Sequence, residues 1–558
     1  MLNPYHKTLH LQKSSLAPVI PFLVLISLIP LCELIYQSIN HRYLSGLLLF
    51  MIGFFLFLLP IYLFRNRPRL YLLILSPVFL LVPFNIAYVL TFNSIISEAT
   101  ILMVRNTSKN EASELLNNYL GIITLFFGCY LLLFFLLFRR VPRKINRRFA
   151  MSVSLFSLGF LLLCPFLLYN HDYGYIYNLR KKIGIIFPFT VVNSIKTIYD
   201  QDELIQATAK ERNAFKFGSH LDSLVKGIQL HVLIIGESCR FDHWGLNGYY
   251  RNTSPHLSKR ENLISFSQVA SGSYMTEMSV PLLLTGVGAP NFDAHKNRKG
   301  VIGAFREAGF TTYWLTDQSD IGANIKIHSL EAEKQFYLIS DFRSTKHLHQ
   351  DLELLNMLRE VLKSPEGKKF IVIHCIGSHY NYSSRYPDSY DLYQPSNKTV
   401  ASKVTDRRYK DVLVNSYDNS ILYSDAVIDS AISLVNSLDI FSSVTFVADH
   451  GEDLLDDDRD YTDHVHGSPP SKYVAHVPMF TWVSQKFEEA YPGKADYLLE
   501  HKQSPISTED LMPTLCSMAG IFYHGQDSTR DFSSAAFLNS SQLLRGENGK
   551  IYSFSDMK

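Results

Sequence analysis

Charge is scarce in this sequence. Asp, Glu, Lys and Arg make up 19% of 558 residues, while hydrophobic residues make up 47%. An ordinary soluble protein carries about a quarter charged residues, so part of the chain is not meant for water. Neither sign of charge is in excess: 53 Lys and Arg against 51 Asp and Glu leave a formal charge of +2. A basic footprint for nucleic acid is therefore absent. Cysteine is equally sparse, at six residues. Cys32, Cys129 and Cys164 lie in apolar runs; Cys239, Cys375 and Cys516 form an odd remainder with no C-x-x-C spacing. No disulfide framework follows from such a set. Internal repeats and low-complexity tracts are missing, and the composition excludes disorder, collagen and coiled coil. The length allows about three or four domain-sized units.

What the chain has in plenty is long apolar runs. They span Leu16–Ile39, Tyr43–Phe64, Leu70–Phe92, Tyr119–Phe138 and Ala150–Tyr169. About 20 helical residues at ~1.5 Å each cross a ~30 Å hydrocarbon core. This predicts a bundle of five transmembrane helices over residues 1–169. Glu33 is the acidic residue inside a span, with the bundle interior or an interface as its two possible settings. Arg65, Arg67 and Arg69 flank one loop; Arg139, Arg140, Arg143, Lys144, Arg147 and Arg148 crowd another. By the positive-inside rule these loops and the N-terminus are cytoplasmic, which places everything after Tyr169 across the membrane. No small-x-small cleavage site follows the first run, so it reads as a span and not as a signal peptide. Residues 170–218 mix Tyr173, Tyr175, Phe187 and Phe189 with Arg180, Lys181 and Lys182. That stretch is either a set of interfacial amphipathic helices or an ordinary linker.

From about Ile228 the pattern becomes strand and helix in alternation. QLHVLIIGES, KKFIVIHCIGSH and SSVTFVADHGED are apolar strands with polar residues just past their ends. Asp351–Leu362 and Ser416–Leu438 read as helices between them. Continuous apolar strands alternating with helices predict a mostly parallel sheet between helices, over residues 219–558. Ligands bind outside the carboxyl ends of such strands, where Glu237, His379, Asp449 and His450 all fall. Two carboxylates and an imidazole at one sheet edge suit Zn²⁺ or Mn²⁺. A cation with an open position activates a nucleophile, and ASGSYMTEMSVP supplies Ser271, Ser273, Thr276 and Ser279. His374 lies inside an apolar strand and reads as a core histidine; His464 and His476 also read as structural. Asp456, Asp457, Asp458 and Asp460 read as a solvated loop, with a weak second cation site as the alternative.

The runs GESCRFDHWGLNGYYRNTSPHL, TEMSVPLLLTG, HCIGSHYNYSSRYP, ADHGED and HVHGSPP, in that order, resemble the phosphoethanolamine transferases of Gram-negative envelopes. Those enzymes belong to the alkaline phosphatase/sulfatase superfamily, and the resemblance runs from the apolar spans to the C-terminus. It implies a sulfatase-like catalytic domain in the periplasm, attached to an inner-membrane bundle. It implies Thr276 as nucleophile; Glu237, Asp449, His450 and the Thr276 oxygen as ligands of Zn²⁺, with Mn²⁺ or another divalent cation as alternatives; and His379 and His466 near the transferred phosphate. Arg240 and Asn247 lie in a matched block without an assigned role. The implied donor is phosphatidylethanolamine and the implied acceptor lipopolysaccharide, at lipid A or a core sugar.

Departures from the family pattern bear on the acceptor more than on the reaction. Lipid A members carry Cys around the nucleophile, where this chain has ASGSYMT; Lys326 in WLTDQSDIGANIKI matches a substrate-holding Lys only loosely; and the loop Asp453–Asp463 is longer. A phosphoglycerol transferase, using phosphatidylglycerol and a glucan or polymer acceptor, is the alternative within the superfamily. A sulfatase would need Cys or Ser in a C/S-x-P-x-R setting, which Cys239, Cys375 and Cys516 lack. A silent scaffold would lack the nucleophile or a ligand, and all are present.

Overall fold

A computed structural model describes residues 17–39, 43–92, 95–96, 100–101, 109–167, 183–184, 186–222, 227–318, 322–338, 351–400, 407–458, 462–463, 470–546 and 549–557. The chain forms two compact units, one up to Ile198 and one from Tyr199 onward, residues 343–346 aside.

The first unit is built mainly of helices: Ile20–Leu28, Leu31–Ile39, Tyr43–Leu58, Pro68–Ile74, Ser76–Phe92, Lys109–Arg140 and Arg147–Leu167. Proline shapes the breaks. Pro30 lacks an N–H and sits where the first two helices bend by 54°; Pro68–Ile74 and Ser76–Leu90 meet at 57°. Among the described residues two helices are long and apolar enough to span a membrane, Tyr43–Tyr62 and Arg147–Cys164, or up to four if each bent pair is one span. The count of five expected from the sequence is not reached among the described residues. Its fourth run, Tyr119–Phe138, lies within Lys109–Arg140.

Phe22, Leu25, Ile26, Ile61 and Leu72 make the centre of this unit. Two buried polar side chains find partners inside it: Tyr71 Oη donates to the Phe57 carbonyl at 2.8 Å, and Asn85 Nδ2 to Cys32 Sγ at 3.0 Å. Glu33 is buried, and its Oε1 accepts the Phe187 N–H at 3.1 Å, so of the two settings open to it the bundle interior is the one found. Of the stretch 170–218, residues 170–182 lie outside the described set. Phe189–Ala214 is a 26-residue helix that exposes Val192, Ile195 and Tyr199, three positions sharing one side at helical spacing.

The second unit is built on a seven-stranded sheet. Its strands are β1 (Gln229–Gly236), β2 (Leu263–Phe266), β3 (Thr311–Thr316), β4 (Lys334–Tyr337), β5 (Lys368–His374), β6 (Phe441–Ala448) and β7 (Met479–Val483). Their spatial order is β2-β7-β6-β1-β5-β3-β4. β6, β1, β5, β3 and β4 pair in parallel. β7 pairs antiparallel with both β6 and β2, so the sheet expected to be mostly parallel is mixed. The chain leaves β6, forms the loop bearing Asp449 and His450, and returns beside β6 from the same end, which only an antiparallel neighbour allows. All eight residues of β1 and of β6 are buried, the polar Gln229, His231, Ser442, Ser443 and Thr445 included, as expected of strands covered on both faces. Helices Val301–Glu307, Leu354–Lys363 and Lys410–Asn436 pack against the sheet.

Candidate active site

Register brings the site together. Gly236 and Ala448, the last residues of β1 and β6, are partners across the ladder, so Glu237 and Asp449 emerge side by side. The Asp449 N–H donates to the Gly236 carbonyl at 3.0 Å. Ser238 has φ +55°, a left-handed conformation that costs a non-glycine residue about 1–3 kcal/mol. It turns the Ser238 N–H onto Asp449 Oδ1 at 3.1 Å. His450 Nδ1 lies 2.7 Å from the Gly451 carbonyl; only a protonated nitrogen can bond there, so Nε2 carries the lone pair of the neutral ring.

The ligand atoms of Glu237, Asp449 and His450 lie within 4.8 Å of one another, and all three residues are buried. His450 Nε2 is 3.2 Å from Glu237 Oε1 and 3.3 Å from Asp449 Oδ2. Burial, reinforced by the Glu237 charge, pushes the Asp449 carboxyl up to about 7. Among the described residues, Asp449 Oδ2 accepts no hydrogen bond. Two buried carboxylates and an imidazole lone pair converging on one point fit a divalent cation, zinc or manganese by donor type.

Thr276 joins this cluster from another element. It opens the helix Thr276–Thr285, and its Oγ1 lies 3.1 Å from Glu237 Oε1 and 3.2 Å from His450 Nε2. A helix N-terminus carries partial positive charge and free N–H groups, suited to an approaching phosphate. Two glycines make room. A Cβ on Gly451 would stand 1.9 Å from the Tyr473 carbonyl oxygen, and one on Gly377, at φ +47°, 2.8 Å from the Glu237 nitrogen.

Of the six site residues expected from the sequence, Glu237, Thr276, Asp449 and His450 thus come together. His379 follows β5 at the same sheet edge. Its Nδ1 donates to the Tyr380 carbonyl at 2.7 Å, Arg385 Nε grips the His379 carbonyl at 2.9 Å, and the neighbouring Ser378 N–H donates to the Glu237 carbonyl at 3.0 Å. His466 and His464 lie outside the described residues. His374 is fully buried, its ring pushed down to about 4 by burial, a core histidine as expected. His476 stacks on Phe241 at 4.2 Å.

Two residues that the sequence reading named without a role, Arg240 and Asn247, hold the edge in place. Arg240 forks onto both Asp242 oxygens at 2.8 and 2.7 Å, reaches Asp456 Oδ2 at 2.7 Å, and lies 4.1 Å over the Tyr473 ring. Asp456, expected in a solvated loop, is instead an ion-pair partner with 16% exposure. Asn247 bridges the Phe241 carbonyl and Ser265 Oγ, a turn support. A separate cavity of about 750 Å³, lined by Tyr491, Lys494, Tyr497, Tyr523 and His524 among others, contains none of the site residues.

With this geometry in hand, comparison with known proteins is informative. The phosphoethanolamine transferase EptC of Escherichia coli strain K12 is 25% identical over 505 residues, covering 88% of this chain and 86% of that one. EptA of the same strain is 25% identical over 487 residues, covering 84% and 85%. The Kdo(2)-lipid A phosphoethanolamine 7''-transferase of Salmonella typhimurium is 31% identical over 282 residues, 49% of this chain and 47% of that one. The crystal structure of the C-terminal periplasmic domain of EptC from Escherichia coli, in complex with Zn, shares the fold: TM-score 0.54 at 24% identity, over 61% of this chain and 97% of that domain. Residues 229–521 match the sulfatase family model, more than half of the 558 residues, and the chain belongs to the sulfatase family.

Proposed function

We propose that this chain is a multi-pass inner-membrane phosphoethanolamine transferase, five spans in its first 169 residues and its catalytic unit, 219–558, in the periplasm. It moves phosphoethanolamine from phosphatidylethanolamine to lipopolysaccharide, on lipid A or a core sugar. The observation that carries this reading is the convergence of Thr276 Oγ1 on Glu237 and His450, beside Asp449. The names of the relatives, phosphoethanolamine transferases over most of their length, support the group transferred.

Glu237, Asp449, His450 and the Thr276 hydroxyl would hold a divalent cation, zinc by preference, which supplies a lowered hydroxyl pKa and a counter-charge for phosphate oxygens. The chain's own residues do the rest. Thr276 Oγ1 forms a bond to the phosphorus of the donor as the bond to the diacylglycerol oxygen breaks, and that oxygen takes a proton. The phosphothreonine then passes the group to an acceptor oxygen, which loses its proton while Thr276 regains one. His379 and His466 are the groups assigned to the transferred phosphate, able to balance its charge and to hold or give the proton.

Mass spectrometry of envelope glycolipids from cells with and without the protein tests the reading: one glycolipid should gain the mass of a phosphoethanolamine group. The variant Thr276→Ala should abolish that gain while reaching the membrane normally. Headgroup-labelled donors separate this reaction from phosphoglycerol transfer. Gain of a glycerol phosphate group, or unchanged transfer by the Ala variant, refutes the proposal.

A further inference from the structure

β3 ends in three consecutive polar residues, and each bonds the backbone at the end of β5. Thr316 Oγ1 donates to the His374 carbonyl at 2.8 Å. Asp317 Oδ1 accepts the Ile376 N–H at 2.8 Å. Gln318 Nε2 donates to the Cys375 carbonyl at 2.7 Å. The same Gln318 nitrogen also lies 3.2 Å from Glu237 Oε2, although 81 residues separate the two in sequence. All four of these residues are buried.

The orientation of the Gln318 amide is dictated by its partners. A carboxylate oxygen and a carbonyl oxygen are both acceptors, and a side-chain NH₂ has two hydrogens to give them. The reverse orientation would set oxygen against two oxygens. The two Glu237 oxygens are therefore divided. Oε2 is tied back to Gln318, while Oε1 faces Thr276 Oγ1 at 3.1 Å and His450 Nε2 at 3.2 Å.

We propose that Gln318 is a positioning residue for the metal centre: by holding Glu237 Oε2, it leaves Oε1 as the single oxygen this carboxylate presents to the cation. The inference rests on the metal-centre reading above and adds a residue outside its ligand set. Thr316 and Asp317 make Gln318 an effective anchor, because they fasten the segment to β5 before the amide reaches across to Glu237. Outer partners of this kind fix a ligand's geometry and basicity.

The test uses the full-length chain in detergent, stripped of metal and titrated with zinc against a chromophoric chelator. Native protein should take up one zinc per chain at the site. Gln318→Met, close in volume but without a donor, should bind it about 10–100-fold more weakly, with the metal-free unfolding midpoint unchanged. Gln318→Asn, whose amide falls short of bridging both oxygens, should show a smaller loss of the same kind. Zinc affinities of both variants within twofold of native overturn the role. So does a parallel fall of affinity and of metal-free stability in both, the signature of a residue the fold needs. A native chain that takes up no zinc refutes the metal centre itself, a failure read from the native titration alone.

Discussion

In the helical unit Leu44, Leu63 and Leu125 are 81%, 77% and 70% exposed, and its buried acid, Glu33, is occupied by a backbone N–H. In the sheet unit the relation inverts. Whole strands are buried, and acids are drawn inside: Glu237, Asp317, Asp449, Glu452 and Glu509 are all buried. The first unit is organised by what surrounds it, so apolar content alone tells where a residue goes. The second is organised by strand register, which brings Glu237 and Asp449 together beside His450. Burying a lone carboxylate costs several kcal/mol, so a cluster of them implies a counter-charge.

Metal removal should separate the two units most sharply. All three tryptophans, Trp244, Trp314 and Trp482, belong to the sheet unit, so indole fluorescence of the intact chain reports on that unit alone. Zinc at a hundredfold its dissociation constant adds about 2.7 kcal/mol. Chelation should therefore lower the fluorescence-detected midpoint and stop transfer, while the helical unit keeps its circular dichroism. Gly451→Ala comes next. The Tyr473 carbonyl occupies the space a methyl group would need, and backbone must move, at a cost of roughly 2 kcal/mol or more. Denaturant titration followed by fluorescence should register it, together with weaker zinc binding.

A pH series sharpens the contrast further. Burial pushes the Glu509 carboxyl up to about 8 from 4.5. Between those values the folded chain keeps a proton that the unfolded chain releases, so stability falls as pH rises from 5 to 8, by at most about 1.4 kcal/mol per unit. Measured with saturating zinc to quiet Asp449, Glu509→Gln should flatten that slope. Exposed charge marks the lower bound: Lys363 pairs with Glu360 at 2.7 Å with both side chains more than two-thirds exposed, and Lys363→Ala should shift the midpoint by less than about 0.5 kcal/mol.

Much of the cluster could be read from the chain because Glu237, Asp449 and His450 sit just past apolar strands, and strand ends in such a sheet lie on one edge. Glu237, Asp449 and His450 were legible for that reason. Thr276 was legible as one of four hydroxyl candidates and was singled out by resemblance. Local pattern says nothing about partners far apart in sequence. The Arg240–Asp456 pair spans 216 residues, and the Gln318 amide meets Glu237 from a strand two places away in the sheet. Direction was hidden too: the strand Met479–Val483 was not picked out from the sequence, and its reversal follows from how the preceding loop returns. In the helical unit, hydropathy marked apolar stretches correctly yet missed that Pro30 divides the first of them.

The contact between Gly236 and Asp449 joins positions more than two hundred residues apart. A nascent chain that has not yet delivered β6 owns a lone Glu237 and an unassisted threonine. On the function proposed above, ion capture would wait until synthesis has passed β6 and the strands have paired, so that cation loading would report on assembly of the sheet.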